Sequence, residues 1–380
     1  MTRPEIKFKK QQDWPYPEHG GDLHEASRIA GLSPEEIIDF SASINPMGPP
    51  ENALSVLDHS EGLLKNYPDP NCREARKSLS QYLSVEADSL LIGNGSTELI
   101  YLLPHLINED KEILLVVPGF SEYERAFNSR NVPVHKFQLN PDQEFKVEPE
   151  KLLFQFQKIK NPGGLVLSHP NSPSGNLWDM DSLKTLLNFC KKRNLFLIID
   201  ETFIEFSGEK YSLLKQVESN RRLIIIRSIT KFFALPGLRL GYAVLQPEWH
   251  KKLNEKQVPW SVNAMAQKVA SVLFEDEKFL ADSRNLIKQE NEFLFENLNT
   301  IPSIKVFPSD TNFLLFRVEQ GDTGEARRLY KYLLMKGILV RNCGNFDGLN
   351  HIFFRVAVKN RSENRLLINE LKVFFNGSKS

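Results

Sequence analysis

The chain has 380 residues, 41% of them hydrophobic, and its 48 Lys plus Arg balance 48 Asp plus Glu. That length and composition support one large domain plus a smaller one, while the even charge gives no footing for nucleic acid or an anionic membrane as partner. No uninterrupted apolar run approaches the ~20 residues of a membrane span, and the charged stretch Met1 to Lys10 lacks the apolar core of a secretory signal. The cysteines, Cys72, Cys190 and Cys343, lie far apart without metal-ligand spacing. Three free thiols in a reducing cytoplasm, and no metal, are the expectation.

The first informative segment is His19-Gly20-Gly21-Asp22, ahead of a helical stretch from Leu23 to Gly31. Asp39 to Gly48, with Ser41, Ser43, Asn45 and Pro46, is a second loop whose glycine and small polar residues leave backbone NH groups open to an anion. Read alone, either is also an ordinary turn. From Ile37 onward, apolar strand-like runs alternate with glycine- or proline-bearing turns and helical periodicity, which is an α/β pattern. In Asn66-Tyr67-Pro68-Asp69 the tyrosine is held extended by the proline that follows it.

Leu90 to Glu98 reads as strand, glycine turn and helix start, so the NH groups of Gly95, Ser96 and Thr97 can meet a phosphate where the helix dipole is positive. The strand Ile113 to Val117 ends in Pro118-Gly119-Phe120, whose ring is either core filler or a face to stack on a planar ligand. Gly164 to Leu167 leads into the rigid loop Ser168-His169-Pro170-Asn171-Ser172-Pro173-Ser174-Gly175, where His169 reads as a packing residue. Asp200 closes the apolar run Leu195 to Ile199, so it is expected at the mouth of a sheet and largely dry. A carboxylate there is costly unless it meets a cation. A helix N-cap is the competing reading.

The most informative stretch is Ser228-Ile-Thr230-Lys231, leaving the buried strand Leu223 to Ile226, with Arg239 beyond the turn Pro236-Gly237. A lysine among hydroxyls, with a guanidinium facing it across a bend, suits holding an aldehyde as a Schiff base while its neighbours grip a phosphate. A lone lysine is ordinarily a solvated charge, but the surroundings here are apolar and glycine-rich. Gln257 to Ala264 opens a long helical region expected to lead into the smaller domain. Near the end, Arg341 and Arg355 each follow an apolar run that anchors them, which suits a substrate with two anionic groups.

The order S-x-T-K-x-x-x-x-P-G-x-R-x-G resembles the lysine signature of the fold-type I enzymes that use pyridoxal 5'-phosphate. His19-Gly20-Gly21, Asp200-Glu-Thr-Phe203, Pro259-Trp260-Ser261-Val-Asn263-Ala264 and the Arg341/Arg355 pair narrow the likeness to the threonine-phosphate decarboxylases of cobalamin biosynthesis, relatives of histidinol-phosphate aminotransferase. The resemblance runs from His19 to about Val358. It implies a large domain with a mostly parallel, helix-covered sheet over residues 51–265. A smaller α/β domain follows over 266–380, with residues 1–50 contributing to the active site and to that smaller domain. It assigns Lys231 as the Schiff-base lysine and Asp200 as the partner of the pyridinium nitrogen. Gly95, Ser96, Thr97, Ser228, Thr230 and Arg239 would hold the cofactor phosphate, Phe120 would stack on the ring, and Tyr67 would reach the phosphate site of a neighbouring subunit in a homodimer. His19, Gly20, Ser43, Ser172, Arg341 and Arg355 would bind a small phosphorylated amino acid.

Three positions depart from the family pattern. Ser172 stands where an asparagine usually bonds the cofactor's phenolic oxygen; with the shorter serine that contact would be lost, relayed through water or taken over by Asn171. Phe203 replaces the tyrosine that aminotransferases offer to the same oxygen, as it does in the decarboxylases. Ser43 replaces an asparagine near the substrate, which leaves threonine phosphate and serine phosphate both open. The competing readings are a histidinol-phosphate-type aminotransferase and a non-catalytic cofactor sensor. The second needs an added DNA-binding domain, for which the chain has neither room nor a basic segment.

Overall fold

The computed structural model describes residue 17 and residues 19–319 and 322–377. The expectation about Met1 to Lys10 lies outside the described residues.

In chain order, the short strand β1 (Ile38–Asp39) stands apart from a central seven-stranded sheet. That sheet comprises β2 (Leu90–Gly93), β3 (Glu112–Val117), β4 (Val134–Gln138), β5 (Pro162–Ser168), β6 (Phe196–Asp200), β7 (Leu223–Ser228) and β8 (Gly241–Val244), in the spatial order β2-β8-β7-β6-β5-β3-β4. The five strands from β4 to β7 run parallel, and β8 lies antiparallel to both β7 and β2. The turn Pro236–Leu238 causes that reversal, because it sends the chain straight back beside β7 instead of over the sheet. The expectation of a mostly parallel sheet therefore holds.

Both faces are covered. Along β3, Leu114 and Val116 enter one apolar cluster while Ile113, Leu115 and Val117 enter the other; Leu197 and Ile199 against Phe196 and Ile198 repeat the pattern in β6. The period of two sends alternate side chains to opposite faces, so a strand buried on both sides reads as an unbroken apolar run. Where β5, β6 and β7 leave the core they end in polar residues, Ser168, Asp200 and Ser228.

The helical region after Ala264 is broken: Ala264–Ala270 is followed by a turn and then by the 22-residue helix Glu277–Leu298. Asp276 restarts it by accepting a hydrogen bond from the NH of Phe279 at 2.8 Å. That helix delivers a second, antiparallel sheet built from β9 (Ile304–Phe307), β10 (Phe313–Val318), β12 (Arg341–Asn342) and β13 (Phe353–Ala357). β11 (Ile338–Leu339) precedes β12 and pairs in parallel with β1. The N-terminal strap is thus sewn to the second sheet, with Phe40 NH on Leu339 O and Ala357 NH on Phe40 O, both 2.8 Å. All three cysteines are buried and unpaired, and no helix among the described residues is long and apolar enough to cross a membrane.

Beneath the ends of β6 and β7 lies a buried ion cluster. Arg227, fully buried, donates to Glu201 at 2.8 Å and to Glu209 at 2.6 Å, with Glu205 3.6 Å away. Burial pushes the Glu205 carboxyl up to about 7 despite the guanidinium beside it.

Candidate active site

A cavity of about 240 Å³ opens where the carboxyl ends of β5, β6 and β7 meet the second sheet and the N-terminal strap. This is the crevice that a parallel sheet leaves beyond its strand ends.

One end of the cavity is built for a dianion. The helix Gly95–Leu102 starts there and presents Ser96 and Thr97, while Ser228 and Thr230 lie opposite with their hydroxyls hydrogen-bonded to each other. Arg239 joins them from beyond the turn, in the left-handed region at φ 60°. Two glycines make the approach possible. A β-carbon at Gly95 would sit 2.6 Å from Arg239 Nη2, and one at Gly241 would sit 2.3 Å from the backbone nitrogen of Ser96. Glu98 secures the loop from behind by accepting from the NH of Asn94 at 2.6 Å.

The floor carries Asp200. Its two oxygens accept from Tyr123 Oη at 3.0 Å and from the NH of Thr202 at 2.9 Å. Burial raises its pKa, and these two donors oppose the shift only in part. A carboxylate held dry without a cation is poised for one. Lys231 opens onto the same space. Burial, and then the charges of Arg355 and Arg239, draw its ammonium down to about 8, with Asp39 pulling the other way. The apolar walls are Phe120 and Phe203. The donor set around Arg239, the cation-seeking carboxylate and the amine of lowered basicity fit the three ends of pyridoxal phosphate: phosphate, ring nitrogen and aldehyde.

The remaining wall belongs to the second sheet and the strap. Arg341 and Arg355 face each other in register across β12 and β13. Arg341 donates to Pro17 O and to Asn345 Oδ1, each at 2.7 Å, and burial lowers its pKa. Arg355 donates to Ser172 Oγ at 3.1 Å and to Ser41 O at 3.2 Å, lies over the Phe313 ring, and keeps Nε unbonded. It has no ion-pair partner among the described residues, and burial holds it down to about 10. His19 and Gly20 close the rim, His19 near Glu122 at 3.5 Å.

Most of the expected residues therefore meet at one cavity, and four do not line it. Asn171 is a correction. Its amide donates to Pro118 O and Ser168 Oγ and accepts from Ser174 Oγ, so the loop itself consumes it and nothing is left for a cofactor oxygen. Ser43 is the second correction: it is fully buried, is not among the cavity-lining residues, and its hydroxyl has no hydrogen-bond partner among the described residues. Gly95 contributes room rather than a contact. Tyr67 points away from its own chain's cavity, 82% exposed and packed on the Trp260 ring at 5.0 Å. His169 is the packing residue expected, donating to Tyr211 O and accepting from the NH of Trp178, with burial lowering its pKa.

Sequence reasoning missed Tyr123, Ser168, Ser41 and Phe346. Ser168 carried a readable signal, since it ends β5 as Asp200 ends β6, and the two are paired in register. Tyr123 lies 77 residues from Asp200, and only the strand order β6-β5-β3 brings them together.

The sequence matches the aminotransferase class I and II family over residues 35–371. The threonine-phosphate decarboxylase of Salmonella typhimurium is 32% identical over 94% of this chain and 97% of its own length. Among solved structures, the L-threonine-O-3-phosphate decarboxylase of Porphyromonas gingivalis superposes with a TM-score of 0.77 at 25% identity, covering 89% of this chain and 99% of that one. The histidinol-phosphate aminotransferase of Clostridium acetobutylicum gives 0.82 at 32% identity, over the same 89% and 99%.

Proposed function

Because the chain belongs to the class I and II aminotransferase family, we propose that it uses pyridoxal phosphate to decarboxylate a small O-phospho-amino acid, L-threonine O-3-phosphate or its serine analogue, yielding the amino-alcohol phosphate linker of the cobamide nucleotide loop. The observation that carries this is the pair of buried arginines facing one another beside Lys231, with Arg355 lacking an ion-pair partner among the described residues. Two anionic groups on one short substrate would satisfy them.

When bound, pyridoxal phosphate supplies an electron sink for whichever bond at the substrate α-carbon stands perpendicular to its ring. The protein's contribution is to decide which bond that is. Arg341, His19 and Gly20 would take the phosphate, and that second grip turns the carboxylate out of the ring plane. Asp200 would hold positive charge at the ring nitrogen. Lys231, with its lowered basicity, would supply the proton that replaces the departing carboxyl group. Phe203 agrees with this reading, because it places no hydroxyl where a transaminating site has one. Ser172 lines the cavity and accepts from Arg355, which leaves its hydroxyl proton to donate to a ligand, whereas Ser43 is not among the lining residues. Discrimination between threonine and serine phosphates therefore rests with Ala42, Phe346 and the other cavity-lining residues.

The deciding assay incubates purified protein with threonine phosphate and with serine phosphate, scoring carbon dioxide against 2-keto acid. Carbon dioxide in step with substrate loss is expected. Stoichiometric keto acid without carbon dioxide overturns the proposal in favour of a histidinol-phosphate-type aminotransferase.

The working unit we propose is a homodimer in a reducing compartment, as the three buried free thiols support. Leu64, Tyr67 and Val258 are at least 69% exposed, and Tyr67 borders an open hollow of about 570 Å³. Such an apolar surface calls for cover. Diluting the enzyme should therefore release cofactor and activity together as the dimer parts, and Tyr67→Phe should weaken cofactor retention. A monomer with full activity would exclude the arrangement.

A further inference from the structure

Asp39 lies outside the cavity, yet its hydrogen bonds hold Ser41 and Ala42, which line the cavity. One oxygen, Oδ1, accepts from the NH of Ser41 at 2.7 Å, from Ser41 Oγ at 2.6 Å and from the NH of Ala42 at 3.2 Å. An aspartate that caps its own backbone two and three residues on fixes a tight turn. With Ser41 so held, its hydroxyl accepts from the NH of Gly21 at 2.8 Å and its carbonyl accepts from Arg355 Nη2 at 3.2 Å. The same carbonyl lies hard against Gly20, where a β-carbon would come within 2.3 Å of it. The turn cannot drift toward the second sheet either, since Phe40 is bonded on one side to Leu339 and on the other to Ala357.

From this geometry we infer that Asp39 is a positioning residue for the substrate. It locks Ser41 so that one turn seats both the His19–Gly20 rim and the Arg355 guanidinium. The inference rests on the decarboxylase reading for what the substrate is, but not for the contacts themselves. It separates two jobs that look alike in sequence. Asp200 serves the cofactor end, and Asp39 serves the substrate end without touching the substrate.

The test uses the holoenzyme with Asp39→Ala, Asp39→Asn and Ser41→Ala. Asp39→Ala removes the acceptor, so KM for threonine phosphate should rise roughly 10- to 100-fold with kcat and cofactor absorbance little changed. Asparagine keeps an oxygen at the capping position and should restore most of the affinity. Amide hydrogen exchange of the peptide containing Gly20 to Leu23 should speed up in both alanine variants, a readout that needs no substrate. If Asp39→Ala does not fold, Ser41→Ala against Asp39→Asn still decides, with the first raising KM and loosening the rim and the second doing neither. Wild-type KM in Asp39→Ala, a loss confined to kcat, or asparagine as impaired as alanine would each overturn the role. Wild-type enzyme releasing no carbon dioxide would sink the functional reading instead, leaving the exchange result to judge Asp39 by itself.

Discussion

If Lys231 is the proposed Schiff-base lysine, Lys231→Ala should lower decarboxylation by at least about ten-thousandfold, since it would remove both the cofactor's covalent anchor and the group that moves the proton. The physical basis is the amine's depressed basicity, down to about 8 from burial and from Arg355 and Arg239. An amine must be unprotonated to attack an aldehyde, so the sign is fixed. Cofactor uptake by the cofactor-free protein should speed up as pH rises and level off just above 8, where an ordinary lysine would still be gaining. Borohydride reduction of the yellow holoenzyme should fix the cofactor mass on the peptide carrying Lys231. Label on another lysine, or uptake that keeps climbing to pH 10, would remove Lys231 from this role.

Replacing Asp200 by asparagine should produce two effects of opposite sign. The carboxylate is buried, and desolvation raises its pKa despite the hydrogen bonds from Thr202 and Tyr123, so in the cofactor-free protein the charge is a burden. Asp200→Asn should leave the melting temperature of that form unchanged or higher. Once a ring nitrogen is to be held positive the same charge becomes indispensable, and its loss should weaken cofactor binding and cut turnover by roughly a hundredfold to ten-thousandfold. Tyr123→Phe should show a weaker version of the turnover loss. Turnover within a few-fold of wild type in Asp200→Asn would mean that the carboxylate is not the nitrogen's partner.

The large sheet and the cofactor end were legible because both depend on local sequence. Apolar runs that end in Asp200 or Ser228 announce where strands leave the core, and the turn between Lys231 and Arg239 is written within nine residues. What stayed hidden depends on strand order. Tyr123 finds Asp200, and Ser41 finds Arg355, only after the chain has crossed between layers. Asn171 misled for a related reason. Its residue type suits a cofactor contact, but the loop's own carbonyls and hydroxyls claimed the amide first, which no spacing reveals. Ser43 misled through burial, since a residue beside a site in sequence can lie behind its wall.

The ion cluster beneath the cavity bears on how such a protein can change over evolutionary time. Glu201 follows Asp200 and Arg227 precedes Ser228, so at each strand end one residue serves the reaction and its neighbour, turned the other way, staples the strands together. Stiffness and chemistry are then inherited through different codons. A lineage can rewrite Phe203, Ser172 or the arginines of the second sheet while the Glu201–Arg227 staple, fully out of reach of any ligand, goes on holding Asp200 and Ser228 to their places. On a frame of that kind, changes at the rim that alter which bond breaks need not disturb the floor that holds the strand ends.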